Sequence, residues 1–120
     1  MKNLSLIGKY LYLIPFIIFG LMHFTSGSEM AGYIPSYLPG GVFWVYLTGL
    51  ALILAPVAVF INKHAKLAML LLGIMLLLFV LMLHLPGAFN PDTMQMSIPN
   101  MMKDLALAGA AFYFSGSFEK

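Results

Sequence analysis

Residues 62–85 read NKHAKLAMLLLGIMLLLFVLMLHL, and this stretch decides the fold of the chain. A polar turn at residues 62–64 is followed by a long apolar run in which Lys66 is the only lysine, arginine or acidic residue. A run of about 20 apolar residues is long enough to cross the hydrocarbon core of a bilayer as an α-helix. The run ends at His84. The sequence therefore predicts a membrane-spanning helix with an ionisable side chain near its end.

The composition of the whole chain also indicates a membrane protein. Of its 120 residues, 62% are hydrophobic and 8% are charged, whereas a soluble domain is about a quarter charged. The net charge of +2 is too small to indicate a nucleic-acid partner. The chain has no cysteine, which excludes thiol–disulfide chemistry, iron–sulfur ligation and thiolate zinc sites. We expect the lipid bilayer to be its main partner.

Three further apolar runs reach or approach the length of a membrane span. The predicted spans are residues 6–24, 42–61, 65–85 and 101–118 of a single domain, 1–120. We expect them to be helices, because lipid offers no hydrogen-bond partner to unpaired backbone N–H and C=O groups. The fold class predicted is an all-α, integral membrane four-helix bundle. We expect the first run to be a retained span, since no small-x-small cleavage pattern follows it.

The distribution of lysines predicts the orientation. Those that fall on one side of the four spans are Lys2, Lys9, Lys63, Lys66 and Lys120. Lys103 falls on the other side with the acidic residues Glu29, Asp92 and Asp104. Cytoplasmic segments carry the excess of lysine and arginine. Both termini are therefore predicted to be cytoplasmic, in a multi-pass protein of the bacterial inner membrane.

Polar side chains collect at the predicted outer ends of the spans. His23 ends the first span and His84 ends the third, while Asn100, Lys103 and Asp104 open the fourth. The last three follow the i, i+3, i+4 spacing of one helix face. Spans that alternate in direction bring all these groups to the same side of the membrane. The sequence predicts that they form one outer-leaflet cluster.

Two interpretations of this cluster stay open. In one, the side chains form a polar cap that fixes helix order, with Asp104 paired to His84 or His23 and with Lys103 paired to Glu29 or Asp92. In the other, they line a pocket for a lipid-soluble or anionic ligand. Histidine then exchanges a proton, because ionisable groups inside a membrane are commonly functional.

A threonine also lies near this pocket. The hydroxyl group of Thr48, inside the second span, either joins the pocket by hydrogen bonding or bonds to a carbonyl of its own helix. Quinone or lipid are possible ligands, and no cofactor is predicted. No metal site is predicted either, because no i, i+4 pair of ligands is present. Whether the chain is an enzyme stays open, since no nucleophile–base pair, phosphate loop or pair of acid–base carboxylates is visible.

Several motifs resemble those of the DoxX-like family of small bacterial membrane proteins. They are Gly20-Leu-Met-His23-Phe, Ile34-Pro-Ser-Tyr-Leu-Pro39, Leu47-Thr-Gly-Leu, His84-Leu-Pro-Gly and Asn100-Met-Met-Lys103-Asp104-Leu-Ala-Leu-Ala-Gly109. The resemblance implies a four-helix membrane bundle with both termini inside, and an association with thiosulfate:quinone oxidoreduction or other membrane oxidoreductase assemblies. It also implies an acidic residue between Gly49 and Ala55, where this chain has only Gly, Ala, Leu and Ile.

The leading functional prediction is a small accessory or subunit protein of the inner membrane. It associates with other membrane proteins or with itself as a homo-oligomer, and it carries the polar outer-leaflet pocket. One alternative is a redox-linked quinone-binding subunit of a membrane oxidoreductase. Another is a small transporter or lipid-handling protein, in which helices kinked at Pro15 and Pro56 act as gates.

Overall fold

The computed structural model describes residues 2–30, 32 and 39–118, and this part of the chain is helical with short turns. Its α-helices are α1 (Lys2–Thr25), α2 (Gly27–Met30), α3 (Val42–Phe60), α4 (Ala65–Phe79), α5 (Leu85–Ala88) and α6 (Met94–Ser115). A π-helical segment, Val80–His84, joins α4 to α5. The all-α prediction is confirmed for the described residues. The motif at residues 34–39 lies, except for Pro39, outside them.

Three helical stretches in the described chain are long and apolar enough to cross a membrane. They are Asn3–Thr25, Val42–Phe60 and Ala65–Ala88, which coincide with the first three predicted spans. Pro15 and Pro56 lie inside α1 and α3 without ending either helix. Large apolar side chains such as Leu11, which is 70% exposed, cover much of the surface. A continuous apolar surface of this kind is solvated by lipid and not by water.

The last long helix, α6, differs from its predicted bounds. It begins at Met94 and not near residue 101, so Pro99 and Asn100 are helical. The first turn of α6 is held by α5, because the Thr93 hydroxyl donates to the carbonyl of Gly87 at 2.7 Å. This hydrogen bond, between residues six apart in the sequence, links the start of α6 to α5. Pro99 lies inside α6 without ending it.

The chain divides into two compact units, Met1–Ile61 and Asn62–Lys120. In the first unit, α1 and α3 run antiparallel, with an aromatic pair near each end. Tyr10 stacks on Phe60 with ring centroids 5.4 Å apart. At the other end, Phe24 stacks on Tyr46 at 5.6 Å. Between these pairs the core contains Leu13, Phe16, Val45, Leu52 and Val59.

Two glycines allow α1 and α3 to approach closely. A Cβ atom added at Gly20 would lie 2.7 Å from the carbonyl oxygen of Gly49. One added at Gly49 would lie 2.5 Å from the Cβ of His23. Without a hydrophobic driving force between helices in lipid, such close backbone contact is a main source of helix association. The two glycines therefore set the spacing of this helix pair.

In the second unit, α4, the π segment and α5 pack antiparallel to α6. The side of α4 that is buried consists of Ala65, Met69, Leu72, Gly73 and Leu76. The buried residues of α6 are Asp104, Ala108, Ala111 and Ser115. A Cβ at Gly73 would lie 2.7 Å from the ring of Phe112, so the buried side of α4 faces α6. The other small residues of α6, Ala106, Gly109 and Ala110, are exposed.

We predict that Gly20→Ala lowers the free energy of unfolding of the protein in detergent by about 1–3 kcal/mol, because the added methyl group overpacks the α1–α3 contact. Thermal or denaturant unfolding followed by circular dichroism measures this loss. Gly8→Ala is the matched control, since a Cβ at Gly8 has no neighbour within 4 Å and alanine favours helix more than glycine does. Equal stability of the two variants would show that the close approach contributes nothing.

Candidate functional site

The helix that carries His84 changes its hydrogen-bonding pattern just before that residue. From Val80 to His84 it is a π-helix, and the Leu85 N–H donates to the carbonyl of Val80, five residues earlier. Pro86 follows, and a proline has no N–H for the carbonyl of Met82 and sterically opposes it. A wider turn relieves that clash. Single π turns inside helices are frequent at functional sites.

The π segment determines which way His84 faces. In an uninterrupted α-helix, at about 100° per residue, His84 would lie about 70° from the centre of the buried side of α4. A π turn advances by roughly 80° per residue and returns His84 to that centre. Because the buried side faces α6, the imidazole of His84 reaches across to that helix.

The partner of His84 on α6 is Asp104. The Nε2 atom of His84 lies 2.7 Å from Oδ2 of Asp104, and the two side chains are 20% and 9% exposed. A carboxylate only accepts hydrogen bonds, so Nε2 carries the proton that is donated. In a neutral ring Nδ1 is then an acceptor, and within the described residues it has no hydrogen-bond partner. An imidazole held in this way can take a proton from a hydroxyl group or return it.

The second oxygen of Asp104 faces a cation. The Lys103 ammonium nitrogen lies 4.0 Å from Oδ1 of Asp104 and 3.5 Å from the side-chain oxygen of Asn100. The Lys103 side chain is 58% exposed. Lys103 thus contacts residues of its own helix and not Asp92. The carboxylate of Asp104 thus lies between an imidazole and an ammonium group.

His23 and Thr48 lie in the first unit, and each bonds to its own helix. His23 is 5% exposed, and its Nδ1 donates to the carbonyl of Phe19 at 2.8 Å. The Thr48 hydroxyl lies 2.8 Å from the carbonyl of Trp44. Of the two predicted roles of Thr48, the hydrogen bond to its own helix is therefore present. Both hydrogen bonds satisfy a polar atom within one helix. A role for His23 or Thr48 in ligand binding stays a prediction.

The structure thus brings together four of the six predicted site residues, namely His84, Asn100, Lys103 and Asp104, all in the second unit. Of the two pairings considered for Asp104, the one with His84 is present. Among the described residues, no group of three or more His, Asp or Glu side chains is placed to hold a metal ion. Sequence reasoning missed the π segment and the hydrogen bond between Thr93 and Gly87. Pro86, two residues after His84, was the available signal for the π segment.

Removal of either partner of the His84–Asp104 pair should destabilise the protein strongly. His84→Ala leaves a buried carboxylate without its main partner, which costs about 3 kcal/mol. A double-mutant cycle with Asp104→Ala, measured by unfolding in detergent, should give a coupling of about 1–3 kcal/mol. Lys103→Ala is the control and should cost less than about 1 kcal/mol, because the Lys103–Asp104 pair is long and exposed. A coupling near zero would mean that the hydrogen bond does not form.

We also predict that Pro86→Ala weakens the His84–Asp104 coupling without unfolding the protein. Alanine supplies the missing N–H, so the π turn can revert to an α-helix and rotate His84 away from α6. The same double-mutant cycle, repeated in the Pro86→Ala background, measures the effect. An unchanged coupling would show that the proline does not maintain the π segment. Pro99→Ala, a proline replacement on α6, is the control.

Comparison of the chain with protein-family models, with curated proteins and with solved structures finds no match.

Proposed function

We propose that the protein is a four-span protein of the bacterial inner membrane with α6 as its fourth span and both termini in the cytoplasm. The lysine distribution supports the orientation. At about 1.5 Å per residue, the 22 residues of α6 extend roughly 33 Å, enough to cross the hydrocarbon. The motifs around His23, His84 and Asn100 support membership of the DoxX-like family.

The function that we propose is that of an accessory subunit which binds a lipid-soluble ligand at the His84–Asp104 pair. The observation that carries this proposal is the 2.7 Å hydrogen bond between these side chains inside an otherwise apolar helix pair. A buried pair of this kind is a weak source of stability, because desolvation of the two groups offsets their attraction. Its value lies in chemistry, since Nδ1 of His84 stays open to a ligand.

The ligand has to reach the site from the membrane. The His84 ring is partly exposed, whereas the Asp104 carboxyl is nearly covered. A ligand would therefore meet the imidazole first, with Asp104 behind it to orient the ring. Lys103 lies beside the pair and offers a cation to an anionic or carbonyl-bearing head group.

The proposal includes association with other membrane proteins or with a second copy of the chain. The exposed side of α6 supports this, because Ala106, Gly109 and Ala110 lie there together. A Cβ atom at Gly109 would meet no other atom within 4 Å. Small residues at a lipid-facing surface allow another helix to approach closely.

A second candidate function is that of a redox-linked subunit that binds quinone. The open Nδ1 of His84 favours it, since an imidazole with a carboxylate behind it can accept the proton of a quinol hydroxyl group as the quinol is oxidised. The electron acceptor would then be a partner protein of the assembly. Such a subunit needs no catalytic motif of its own beyond this proton acceptor.

Purification of the protein from its native membrane in mild detergent, followed by mass spectrometry of bound lipids and proteins, tests both functions. We expect a lipid-soluble compound that co-purifies with the wild type and falls at least tenfold in Asp104→Asn, because the variant lacks the carboxylate that orients the His84 imidazole. Asp92→Asn, an exposed carboxylate in the link before α6, is the matched control and should retain the compound. Circular dichroism verifies that both variants are folded.

The identity of the compound separates the two candidates. A quinone bound by the wild type and lost in Asp104→Asn supports the redox-linked subunit. A phospholipid or another lipid that is not a quinone, with the same dependence on Asp104, supports the accessory role alone. Identical bound compounds in the wild type and in Asp104→Asn would refute the assignment of the site to ligand binding.

A further inference from the structure

The buried side of α6 carries a line of polar side chains that extends beyond the His84–Asp104 pair. Thr93, Ser97, Asn100 and Asp104 follow the i, i+4, i+7, i+11 spacing of a single helix face. Their exposure decreases along the helix. Thr93 is exposed, Ser97 and Asn100 are partly buried, and Asp104 is buried. We call these four residues the polar seam.

The polar seam lies against α5 and the π segment. At its outer end the Thr93 hydroxyl donates to the carbonyl of Gly87 at 2.7 Å. The hydroxyl oxygen of Ser97 lies directly over Gly87, where a Cβ atom would collide with it. At the inner end Asp104 contacts His84. The seam therefore runs between packed helices and is separated from the exposed apolar side of α6.

The spacing along the polar seam suits a chain of hydrogen bonds through water. Residues three or four apart on an α-helix are about 5–6 Å apart. Two hydrogen bonds of about 2.8 Å joined by one water molecule cover that distance. From Thr93 to Asp104 the seam extends about 16 Å, or half the thickness of the hydrocarbon core.

We propose that the polar seam carries protons between the water outside the membrane and the His84–Asp104 pair. The proposal rests on the proposed function, in which that pair exchanges a proton with a ligand. His84 accepts the ligand's proton at Nδ1 and gives up the proton on Nε2 to Asp104. Asp104 passes that proton to a water in the seam, which returns the pair to its starting charge with the imidazole in the Nδ1–H tautomer. Loss of the Nδ1 proton and uptake of one on Nε2 then restore the starting tautomer.

The residues of the polar seam have different parts in this transfer. The Ser97 and Thr93 hydroxyl groups both donate and accept, so they can relay a proton. The Asn100 amide orients water next to Asp104 and holds Lys103 at 3.5 Å. Lys103 is the other ionisable group at the pair. Its ammonium nitrogen lies 4.0 Å from the Asp104 carboxyl.

Cysteine accessibility in the full-length protein tests this proposal, because the chain has no cysteine of its own. Asn100→Cys and Ser97→Cys are introduced singly, and the protein is reconstituted in phospholipid vesicles. A charged, water-soluble methanethiosulfonate reagent is then applied from outside. Such reagents modify the thiolate, which forms only where water reaches it. Met102→Cys is the matched control, since Met102 lies at similar depth but is 60% exposed on another face of α6.

We expect Asn100→Cys to be modified at least tenfold faster than Met102→Cys, with Ser97→Cys faster again. Equally slow modification of Asn100→Cys and Met102→Cys would overturn the proposal, because the seam would be dry. Equally fast modification would also overturn it, because this part of α6 would then lie in water. The assay needs no bound ligand. If Asn100→Cys is modified rapidly but the protein purifies without a ligand, the proposed function is rejected and the water path along the seam is retained.

Discussion

Hydrocarbon offers no hydrogen-bond partner, so each polar group of this chain that enters a membrane has to find one within the protein. The long helices satisfy their own backbone. The polar side chains within them follow the same requirement, since His23 bonds to Phe19 and Thr48 lies against Trp44. Asp104 instead accepts a hydrogen bond from His84, on another helix. Bonding within a single helix does not account for this contact between residues 20 apart in the sequence.

The His84–Asp104 contact depends on an interruption of regular helix. Without the π segment, His84 would turn away from α6 and leave Asp104 buried without its imidazole. Between Val80 and His84 the α-helical hydrogen bonds are replaced by π-helical ones, and His84 thereby contacts Asp104. An arrangement of this kind is expected where chemistry is more important than stability, because strained or irregular backbone collects at functional sites. The open ring nitrogen of His84 agrees with that interpretation.

The two units use different means to hold their helices together. In the first, α1 and α3 meet through Gly20 and Gly49, with aromatic pairs at both ends. In the second, α4 and α6 meet through Gly73 and two alanines of α6, and the polar seam of α6 lies against α5 and the π segment. Close packing through small residues is common to both. The polar seam belongs to the second unit alone among the described residues, which is why the proposed chemistry is placed there.

Much of the fold could be predicted from the sequence, because the length and apolar character of a run are sufficient to indicate a membrane-spanning helix. The first three spans were predicted within a few residues of the helices observed. The start of α6 was not, since the helix begins at Met94, directly after the Thr93–Gly87 hydrogen bond, and continues through Pro99. The scarcity of ionisable residues singled out His84 and Asp104 as candidates, and the pairing between them was one of two that the sequence allowed.

The sequence by itself determined that the chain is helical and apolar, and which few side chains are able to carry a charge or a proton. Only the tertiary structure decided that His84 donates a hydrogen bond to Asp104, and that Lys103 contacts Asn100. The physical reason is rotational. The direction of a side chain depends on how far the helix rotates with each residue. The π segment before Pro86 rotates less per residue than an α-helix, and this turns His84 by about 70° toward α6.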